Sequence, residues 1–296
     1  MKKNFKYKKF AFSLIEISLV VLIIGMLIAG ISQGIDLYQD AKLSTARTLT
    51  KNSRVNRIPD LELWLETTLD ESFISSEKIH NSNISSWIDS NIQGTNRKTV
   101  SQTIVNERPK YIFRAFNDFM PAVQFDGSND NFPFNSTYMN GADFTIFVVE
   151  QRRSASNLLY FIGGGGSGVF HLGYANTSTI RAGQYGTANV NFFIYYLNHF
   201  KTSEIIPRIH TFILSTTNGK KYWINGGSTP DKSSNDLTSL SNFSGYIGVT
   251  GYAGENLGSY YNGDIGEIII FSRELTDKER IDVEKYLSKK FNISLS

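Results

Sequence analysis

The sequence of 296 residues contains no cysteine. Neither a disulfide framework nor a thiolate metal site can therefore form, and a domain outside the cytoplasm would depend on its hydrophobic core. The chain can supply such a core, since 41% of its residues are apolar and 13% are aromatic. This composition excludes a disordered chain.

Acidic residues are missing from the first eleven positions, which carry five lysines. Subtracting these five charges from the formal net charge of +3 leaves −2 for the rest of the chain. The basic excess thus indicates that the N-terminal segment is a targeting signal, and it argues against nucleic-acid binding.

The segment from Phe12 to Ile35 is almost wholly apolar. As a helix it would rise about 36 Å, enough to cross a hydrocarbon core of about 30 Å. A secretory signal peptide would have a shorter apolar stretch that is removed. Here the apolar stretch continues into a polar, helix-compatible segment from Asp36 to Arg57. We therefore predict a retained membrane helix that Pro59 ends, with a domain boundary between residues 58 and 59.

Glu16 is the single charge in the apolar segment. An ionised carboxylate inside a membrane costs about 2.5 to 3.5 kcal/mol, so Glu16 should have a partner. The upstream lysines or a neighbouring subunit could supply it. The alternative is an ordinary single-pass anchor with an incidental glutamate near its end.

The run from Lys8 to Glu16, Lys-Lys-Phe-Ala-Phe-Ser-Leu-Ile-Glu, resembles the processing signal of type IV prepilins and type II secretion pseudopilins. The resemblance implies that a prepilin peptidase cleaves between Ala11 and Phe12 and methylates the new amine of Phe12. Glycine is the family's usual residue at the position of Ala11. The resemblance also implies that Glu16 pairs with the N-terminal amine of an adjacent subunit during filament assembly.

Short predicted strands follow from Leu61 onward, separated by turns rich in Gly, Asn and Ser. Asn218-Gly219 between two apolar runs predicts a hairpin. Thr276 and Glu279 form a capping box before a C-terminal helix with one apolar face. The sequence therefore predicts a mainly β chain, a long N-terminal transmembrane helix followed by an antiparallel β-sandwich with a C-terminal helix packed on it. The predicted strands are Val123–Asp126, Phe144–Glu150, His210–Thr217, Lys220–Ile224, Tyr246–Thr250 and Gly263–Phe271. The apolar positions of the predicted C-terminal helix are Val283, Tyr286, Leu287 and Phe291.

Four segments in this region resemble, in their order, the concanavalin A-like or laminin G-like jelly-roll domains of the lectin and glucanase type. They are Leu63–Leu65, Ser86–Asp89, Val123–Asp130 and Gly263–Phe271. The resemblance implies recognition of carbohydrate or protein and does not by itself imply catalysis. The expected organisation is a basic leader at 1–11, a pilin-like helix at 12–58 with its membrane part at 12–35, and a sandwich at 59–296.

Two groups of residues are candidates for ligand binding in the sandwich. Tyr195, Tyr196, Tyr260 and Tyr261 could form an aromatic platform for a sugar ring, or they could be half-buried sheet residues. The run Asp126, Ser128 and Asp130 places oxygens at alternate positions and could hold calcium through Asp126 and Asp130. Asn129 in the same loop is a further candidate for ligand binding. An EF-hand loop would need Gly at 131 and Glu at 137, where this chain has Asn131 and Thr137, so an Asp-Gly turn is the favoured interpretation.

Catalytic and metal motifs are weak in this sequence, and we predict neither an enzyme nor a cofactor, with calcium at Asp126 and Asp130 as the alternative left open. Asp264 and Glu267 lie three positions apart on a predicted strand, which should place them on opposite faces. The glycines from Gly163 to Gly168 lack the lysine of a phosphate loop and predict a hairpin turn. The four histidines show no ligand spacing.

The sequence therefore predicts a minor pilin or pseudopilin with a lectin-like head, held in the bacterial inner membrane by a single pass with the head outside the cytoplasm. Its expected partners are the prepilin peptidase, other pilin or pseudopilin subunits with their assembly machinery, the membrane, and a glycan or surface protein. The alternative is a single-pass carbohydrate-binding module outside any filament.

Overall fold

The computed structural model describes residues 13–94, 97–154, 156–165, 169–177, 179–185, 192–196, 206–240, 244–251 and 257–296. Contacts divide the chain into two compact units, residues 1–42 and residues 43–296. The described residues contain two α-helices, α1 (Leu14–Asn52) and α2 (Asp277–Phe291).

The last turns of α1 pack inside the second unit. Ala46 and Thr50 are buried, and Arg47 forms an ion pair of 2.9 Å with Asp70. The helix ends at Asn52, earlier than the predicted helical segment, and a 3-10 turn follows at Val55–Arg57. Ile58 is extended because a following proline disfavours helical backbone.

The second unit contains eighteen strands among the described residues. They are β1 Leu61–Glu66, β2 Ser86–Trp87, β3 Val100–Ser101, β4 Lys110–Phe116, β5 Met120–Asp126, β6 Phe132–Phe134, β7 Phe144–Arg152, β8 Leu159–Gly165, β9 Val169–Asn176, β10 Thr179–Tyr185, β11 Phe192–Tyr196, β12 Arg208–Ser215, β13 Gly219–Ile224, β14 Lys232–Ser234, β15 Ser244–Ile247, β16 Val249–Gly251, β17 Leu257–Tyr260 and β18 Asn262–Phe271.

These strands form two main antiparallel sheets. One has eight strands, in the order β14-β13-β12-β7-β18-β5-β4, with β1 also paired to β18. The other has six strands, in the order β11-β10-β9-β8-β15-β6. The pairs β2-β3 and β16-β17 are separate. The predicted fold class, a long N-terminal helix followed by an antiparallel β-sandwich with a C-terminal helix, is confirmed.

Two hydrophobic clusters hold the second unit together. The first joins the facing sides of the two sheets, with Phe144 and Ile268 from one sheet and Phe161 and Leu172 from the other. The second joins the outer side of the eight-stranded sheet to α2, the last turns of α1 and the segment that follows it. Each fully buried aliphatic or aromatic side chain contributes about 1.5–3 kcal/mol relative to exposure.

Local sequence signals formed as predicted at α2 and at the β12–β13 hairpin. The Thr276 side chain accepts from the Glu279 backbone, the Glu279 side chain accepts in return, and Val283, Leu287 and Phe291 are buried. Gly219 has a φ of +80°, which glycine adopts without strain. The glycine-rich segment is partly strand, since Gly163 to Gly165 belong to β8, which pairs with β9 in a hairpin. Residues 166–168 lie outside the described residues.

A β-bulge at Gly266 corrects one prediction. The pairing of β18 with β7 shifts register between Ile265 and Glu267, so Ile265 and Ile268 both face the inter-sheet cluster. Asp264 and Glu267 consequently lie together on the outer face, and the prediction that they point to opposite faces was wrong. A Cβ atom at Gly266 would lie 2.5 Å from Phe291 of α2, so this position requires glycine for close packing.

Candidate functional site

The first unit presents an apolar helix surface. Within the described residues, one helix is long and apolar enough to cross a membrane by length and composition. Its apolar side chains are exposed, including Leu14 at 88%, Ile15 at 77% and Val21 at 62%. A continuous apolar surface of this length requires cover by lipid or by other helices.

Glu16 lies at the start of α1 and caps it. Its Oε2 accepts from the Ser13 backbone at 2.8 Å, and the Ser13 hydroxyl accepts from the Glu16 backbone at 3.2 Å. This is a reciprocal capping box, which the Ser-Leu-Ile-Glu spacing could have indicated and which our sequence interpretation missed. The cleavage-site residues Ala11 and Phe12 lie outside the described residues.

In the second unit, the loop after β5 is an Asp-Gly turn. Asp126 Oδ1 accepts from the backbones of Ser128 at 2.7 Å and Asn129 at 3.3 Å. Asp130 Oδ2 accepts from the Asp126 backbone at 2.9 Å. Gly127 has a φ of +79°, and an added Cβ would lie 2.8 Å from Asn262. The loop geometry therefore comes from its own hydrogen bonds.

A polar cavity of about 210 Å³ adjoins this turn. Asp126 and Asp130 line it together with side chains that can donate hydrogen bonds, namely Asn83, Asn106, Arg108 and Lys110. Asp130 is only 6% exposed. Burial, aided by the neighbouring charge of Asp126, raises the pKa of Asp130 to about 7. The cavity thus offers donors, acceptors and one carboxyl group that titrates near neutral pH.

The tyrosine candidates are not brought together as one platform in the described residues. Tyr260 is half-buried, and burial, aided by the charge of Glu107, raises its pKa. Tyr261 is fully buried and donates a hydrogen bond to Glu150 Oε2. It therefore cannot contact a sugar. The backbones of Tyr195 and Tyr196 pair with β10, and their side chains lie outside the described residues.

Sequence reasoning missed a buried acid–base cluster around Glu150 on β7. Its Oε1 accepts from Tyr174 at 2.8 Å and lies 2.7 Å from His210 Nε2. His210 Nδ1 lies 2.5 Å from the Tyr222 hydroxyl. Burial lowers the pKa of His210, against the opposing effect of Glu150. These side chains are at most 1% exposed, so the cluster does not contact solvent.

A second buried cluster joins α2 to β1 and β18. Lys290 Nζ donates to Glu267 Oε2 at 2.7 Å and to Glu66 Oε2 at 2.9 Å, and all three side chains are fully buried. Glu267 Oε1 accepts from Trp64 Nε1 at 2.6 Å and from the Tyr286 hydroxyl at 2.8 Å. No short motif signals this cluster, because Glu66 and Lys290 are 224 positions apart.

The described residues contain no group of three or more His, Cys, Asp or Glu side chains that could hold a metal ion. Calcium binding by Asp126 and Asp130, the alternative to a simple Asp-Gly turn, stays untested. Asp264 shares its face with Glu267, but its carboxylate pairs with Arg153 at 2.9 Å and accepts from Gln124.

Comparison with known proteins identifies no family. A scan against protein-family models found no match, and a search of curated proteins found none either. Among solved structures, the chain is similar to domain 4 of a GH43 extracellular arabinanase from Geobacillus stearothermophilus in complex with arabinotriose, at 13% identity and a TM-score of 0.48 over 77% of this chain and 98% of that chain.

Two further structures have a similarly low sequence identity and TM-score. The binding domain of botulinum neurotoxin DC in complex with SialylT is 11% identical with a TM-score of 0.48, over 79% of this chain and 52% of that chain. Trypanosoma rangeli sialidase in complex with sialic acid is 11% identical with a TM-score of 0.44, over 81% of this chain and 34% of that chain. At these values the similarities establish no ligand or activity for this chain.

Proposed function

We propose that this chain is a minor pilin or pseudopilin subunit of a type IV pilus or type II secretion-like filament, with its sandwich head exposed for adhesion or ligand recognition. A prepilin peptidase removes residues 1–11 and methylates Phe12. The chain then sits in the bacterial inner membrane by a single pass, with the head outside the cytoplasm. The observation that carries the proposal is the exposed apolar surface of α1 with a carboxylate at its start.

The position of Glu16 supports assembly with other subunits. An unpaired carboxylate in lipid costs about 2.5 to 3.5 kcal/mol. The free amine of a cleaved neighbouring chain would be equally costly alone, and the two together form a neutral pair. The helix N-terminus adds favourable dipole interactions with the carboxylate. Packing of subunits is thus favoured over the isolated chain in the membrane.

The size of the head supports a low-abundance position in the filament, and its polar cavity supports a role in recognition. Residues 43–296 form one compact unit. We infer that a head of this size is accommodated more readily at a tip or low-abundance position than on every subunit of a filament. The polar cavity beside the Asp126–Asp130 turn combines hydrogen-bond donors with carboxylate acceptors. Sugar hydroxyls both donate and accept, so a glycan suits this lining. We propose no catalysis, since the acid–base cluster at Glu150 is enclosed.

The assembly test compares wild type with Glu16→Gln in a bacterium that has the filament machinery. We expect wild type as a minor component of the sheared filament fraction and a loss of at least tenfold for Glu16→Gln. Asp40→Asn is the matched control, since it removes a charge from the same helix beyond the apolar segment, and it should leave incorporation unchanged.

Two outcomes would contradict this proposal. If the chain were the main repeating subunit, the low-abundance position would be wrong. If wild type stayed in the membrane fraction and never entered filaments, the alternative of a single-pass carbohydrate-binding module would replace the pilin assignment.

A further inference from the structure

A second cavity, of about 350 Å³, lies beside β6, an edge strand of the six-stranded sheet. We call this cavity the β6 cleft. Leu63 and Val100, which are 2% exposed and belong to the inter-sheet cluster, form part of its wall. Phe134 and Tyr138 also line it, and they are half-buried against the same cluster. The β6 cleft therefore combines a hydrophobic wall with two aromatic rings that are partly accessible to solvent.

The ring of Phe134 is held in place by the neighbouring strand β15. Gly245 is the register partner of Phe134, and a Cβ atom on Gly245 would lie 2.5 Å from the ring. The missing side chain of Gly245 therefore lets the ring pack closely against β15. A ring that is already ordered can receive the apolar face of a sugar at little further cost in side-chain entropy.

Side chains that donate hydrogen bonds also line the β6 cleft. The Lys98 ammonium group pairs with Glu62 and lies 4.6 Å from the centre of the Tyr138 ring. An ammonium group has three donors, so this pairing balances the charge of Lys98 and leaves a donor for a ligand. Thr99 and Asn135 are exposed and add a hydroxyl and an amide. An uncharged ligand with hydroxyl groups suits this lining.

Addition of a peptide strand to β6 is a poorer alternative. An edge strand can pair with an extended peptide through its backbone groups. However, β6 has only three residues, and Pro133 in its middle has no N–H to donate. The occupant that fits the β6 cleft is therefore a ligand recognised by side chains.

The β6 cleft and the polar cavity beside the Asp126–Asp130 turn are built from the same two chain segments. In the first segment, residues 98–100 line the cleft and residues 105, 106 and 108 line the polar cavity. In the second, Asp130 lines the polar cavity and Pro133 lines the cleft. Three residues of extended chain span at most about 11 Å, so the two cavities are close neighbours.

Hydrogen bonds join the two segments at the residues between these lining positions. Gln102 Nε2 donates to Asn131 Oδ1 at 3.0 Å, and the Asn131 backbone donates to the Glu107 carbonyl at 3.1 Å. Gln102 and Asn131 are only 6% and 4% exposed. Because buried hydrogen bonds of this kind make a structure rigid, the separation of the two cavities is fixed.

The charges of the polar cavity can balance one another, as those of Lys98 and Glu62 do in the cleft. Arg108 and Lys110 supply two positive charges, and Asp126 and Asp130 supply two negative charges when both are ionised. An uncharged glycan therefore leaves neither cavity with an excess of charge.

We propose that the β6 cleft and the polar cavity are two subsites for one neutral oligosaccharide. One sugar ring lies against Phe134 in the cleft, with its hydroxyl groups near Lys98 and Thr99. A linked sugar places its hydroxyl groups at Asp130 in the polar cavity. The inference rests on the proposed recognition role of the head and specifies the class of ligand. A single sugar occupies one subsite at a time, so it binds more weakly than its own oligomer.

Titration calorimetry with the full chain in detergent tests the inference above pH 7, where Asp130 is ionised. The probes are the monomers and linear trimers of glucose, mannose, galactose and N-acetylglucosamine. We expect at least one trimer to bind at least about tenfold more tightly than its monomer, because the linked rings occupy both subsites. If no trimer binds, or if every trimer that binds has the affinity of its monomer, the proposal is overturned.

Variants of the β6 cleft test its share in binding. Thr99→Trp places a large ring in the cleft from an exposed position, so the affinity for the trimer should fall to that for the monomer. Phe134→Leu keeps an apolar side chain without the aromatic face and should weaken trimer binding by about tenfold. Thr229→Trp is the matched control, since Thr229 is exposed and lines neither cavity, and it should bind like wild type.

Comparison with Asp130→Asn separates this inference from the proposed role of the polar cavity. If Asp130→Asn weakens trimer binding and the two cleft variants do not, the polar cavity binds glycan alone and the two-subsite proposal is wrong. If none of the three variants changes the affinity, the proposed role of the polar cavity is wrong as well.

Discussion

The charge of Asp130 is set by its position between the β5–β6 turn and the polar cavity. Burial and the nearby Asp126 raise its pKa to about 7. The group is therefore an acid whose carboxylate form becomes available to a ligand only as the pH rises through that value. A ligand hydroxyl that donates to Asp130 should bind more tightly at the higher pH.

We expect Asp130→Asn to weaken glycan binding at least tenfold and to abolish this pH dependence, because the amide cannot ionise. The measurement is a glycan array probed with the full chain in detergent, with and without calcium, below and above pH 7. Glu71→Gln serves as the control, since it changes an exposed acid that does not line the cavity. Equal binding by wild type and Asp130→Asn at every pH would exclude the cavity as the binding site.

Single residues show how far sequence reasoning reached. The Asp126-Gly127 turn was predicted because an aspartate before a glycine with positive φ makes its own hydrogen bonds. The burial of Tyr261 was not predictable, because the alternation of side chains in a short strand does not show which face the other sheet covers. Tyr260 and Tyr261 are neighbours, yet one is half-buried and the other donates to Glu150 in the core.

At the scale of elements, α2 depends on its capping box and on an ion pair beside it. Arg273 contacts Glu279 at 2.7 Å, and the Thr276 backbone donates to the same carboxylate. The hydrogen bond from Arg273 is the main cause that lowers the pKa of Glu279 from 4.5 to about 2. Since the pKa of Glu279 is lower in the folded chain, the charged carboxylate stabilises the fold above pH 4.5, and this stabilisation is lost as the pH falls toward 2.

Replacing Glu279 by Gln should lower the free energy of unfolding at neutral pH by about 0.2–1 kcal/mol, because Gln can keep the capping hydrogen bond but loses the ion pair with Arg273. The difference from wild type should shrink as the pH falls from 4.5 toward 2, because wild-type Glu279 then loses its charge as well. Thermal unfolding followed by circular dichroism measures both quantities. Glu71→Gln should match wild type throughout, and a difference for Glu279→Gln that stayed constant down to low pH would contradict the assigned role of the charge.

The elements also show where local patterns fail. The helix, the capping box and the β12–β13 hairpin follow from residues that lie close in sequence. The bulge at Gly266 does not, because Gly266 packs against the ring of Phe291 on α2, which is distant in sequence. A strict alternation therefore placed Asp264 and Glu267 on opposite faces, while the extra residue of the bulge brings them to the same face.

For the whole molecule, composition and order of elements predicted the sandwich but not its connectivity. The central strand β18 pairs with β7 on one edge and with β5 and β1 on the other, contacts that join opposite ends of the chain. The clusters around Glu150 and Lys290 likewise combine residues from distant strands and from α2. Only the folded second unit brings them together, so no spacing in the sequence reveals them.

The central claim is that the chain is a processed, filament-forming subunit, and its most direct test is the N-terminus of the protein itself. The chain should be purified from membranes of a bacterium that carries a prepilin peptidase, and its N-terminal fragments measured by mass spectrometry. The account predicts a chain that begins at Phe12 with one methyl group on its amine. Retention of residues 1–11, or cleavage beyond the apolar segment, would contradict it.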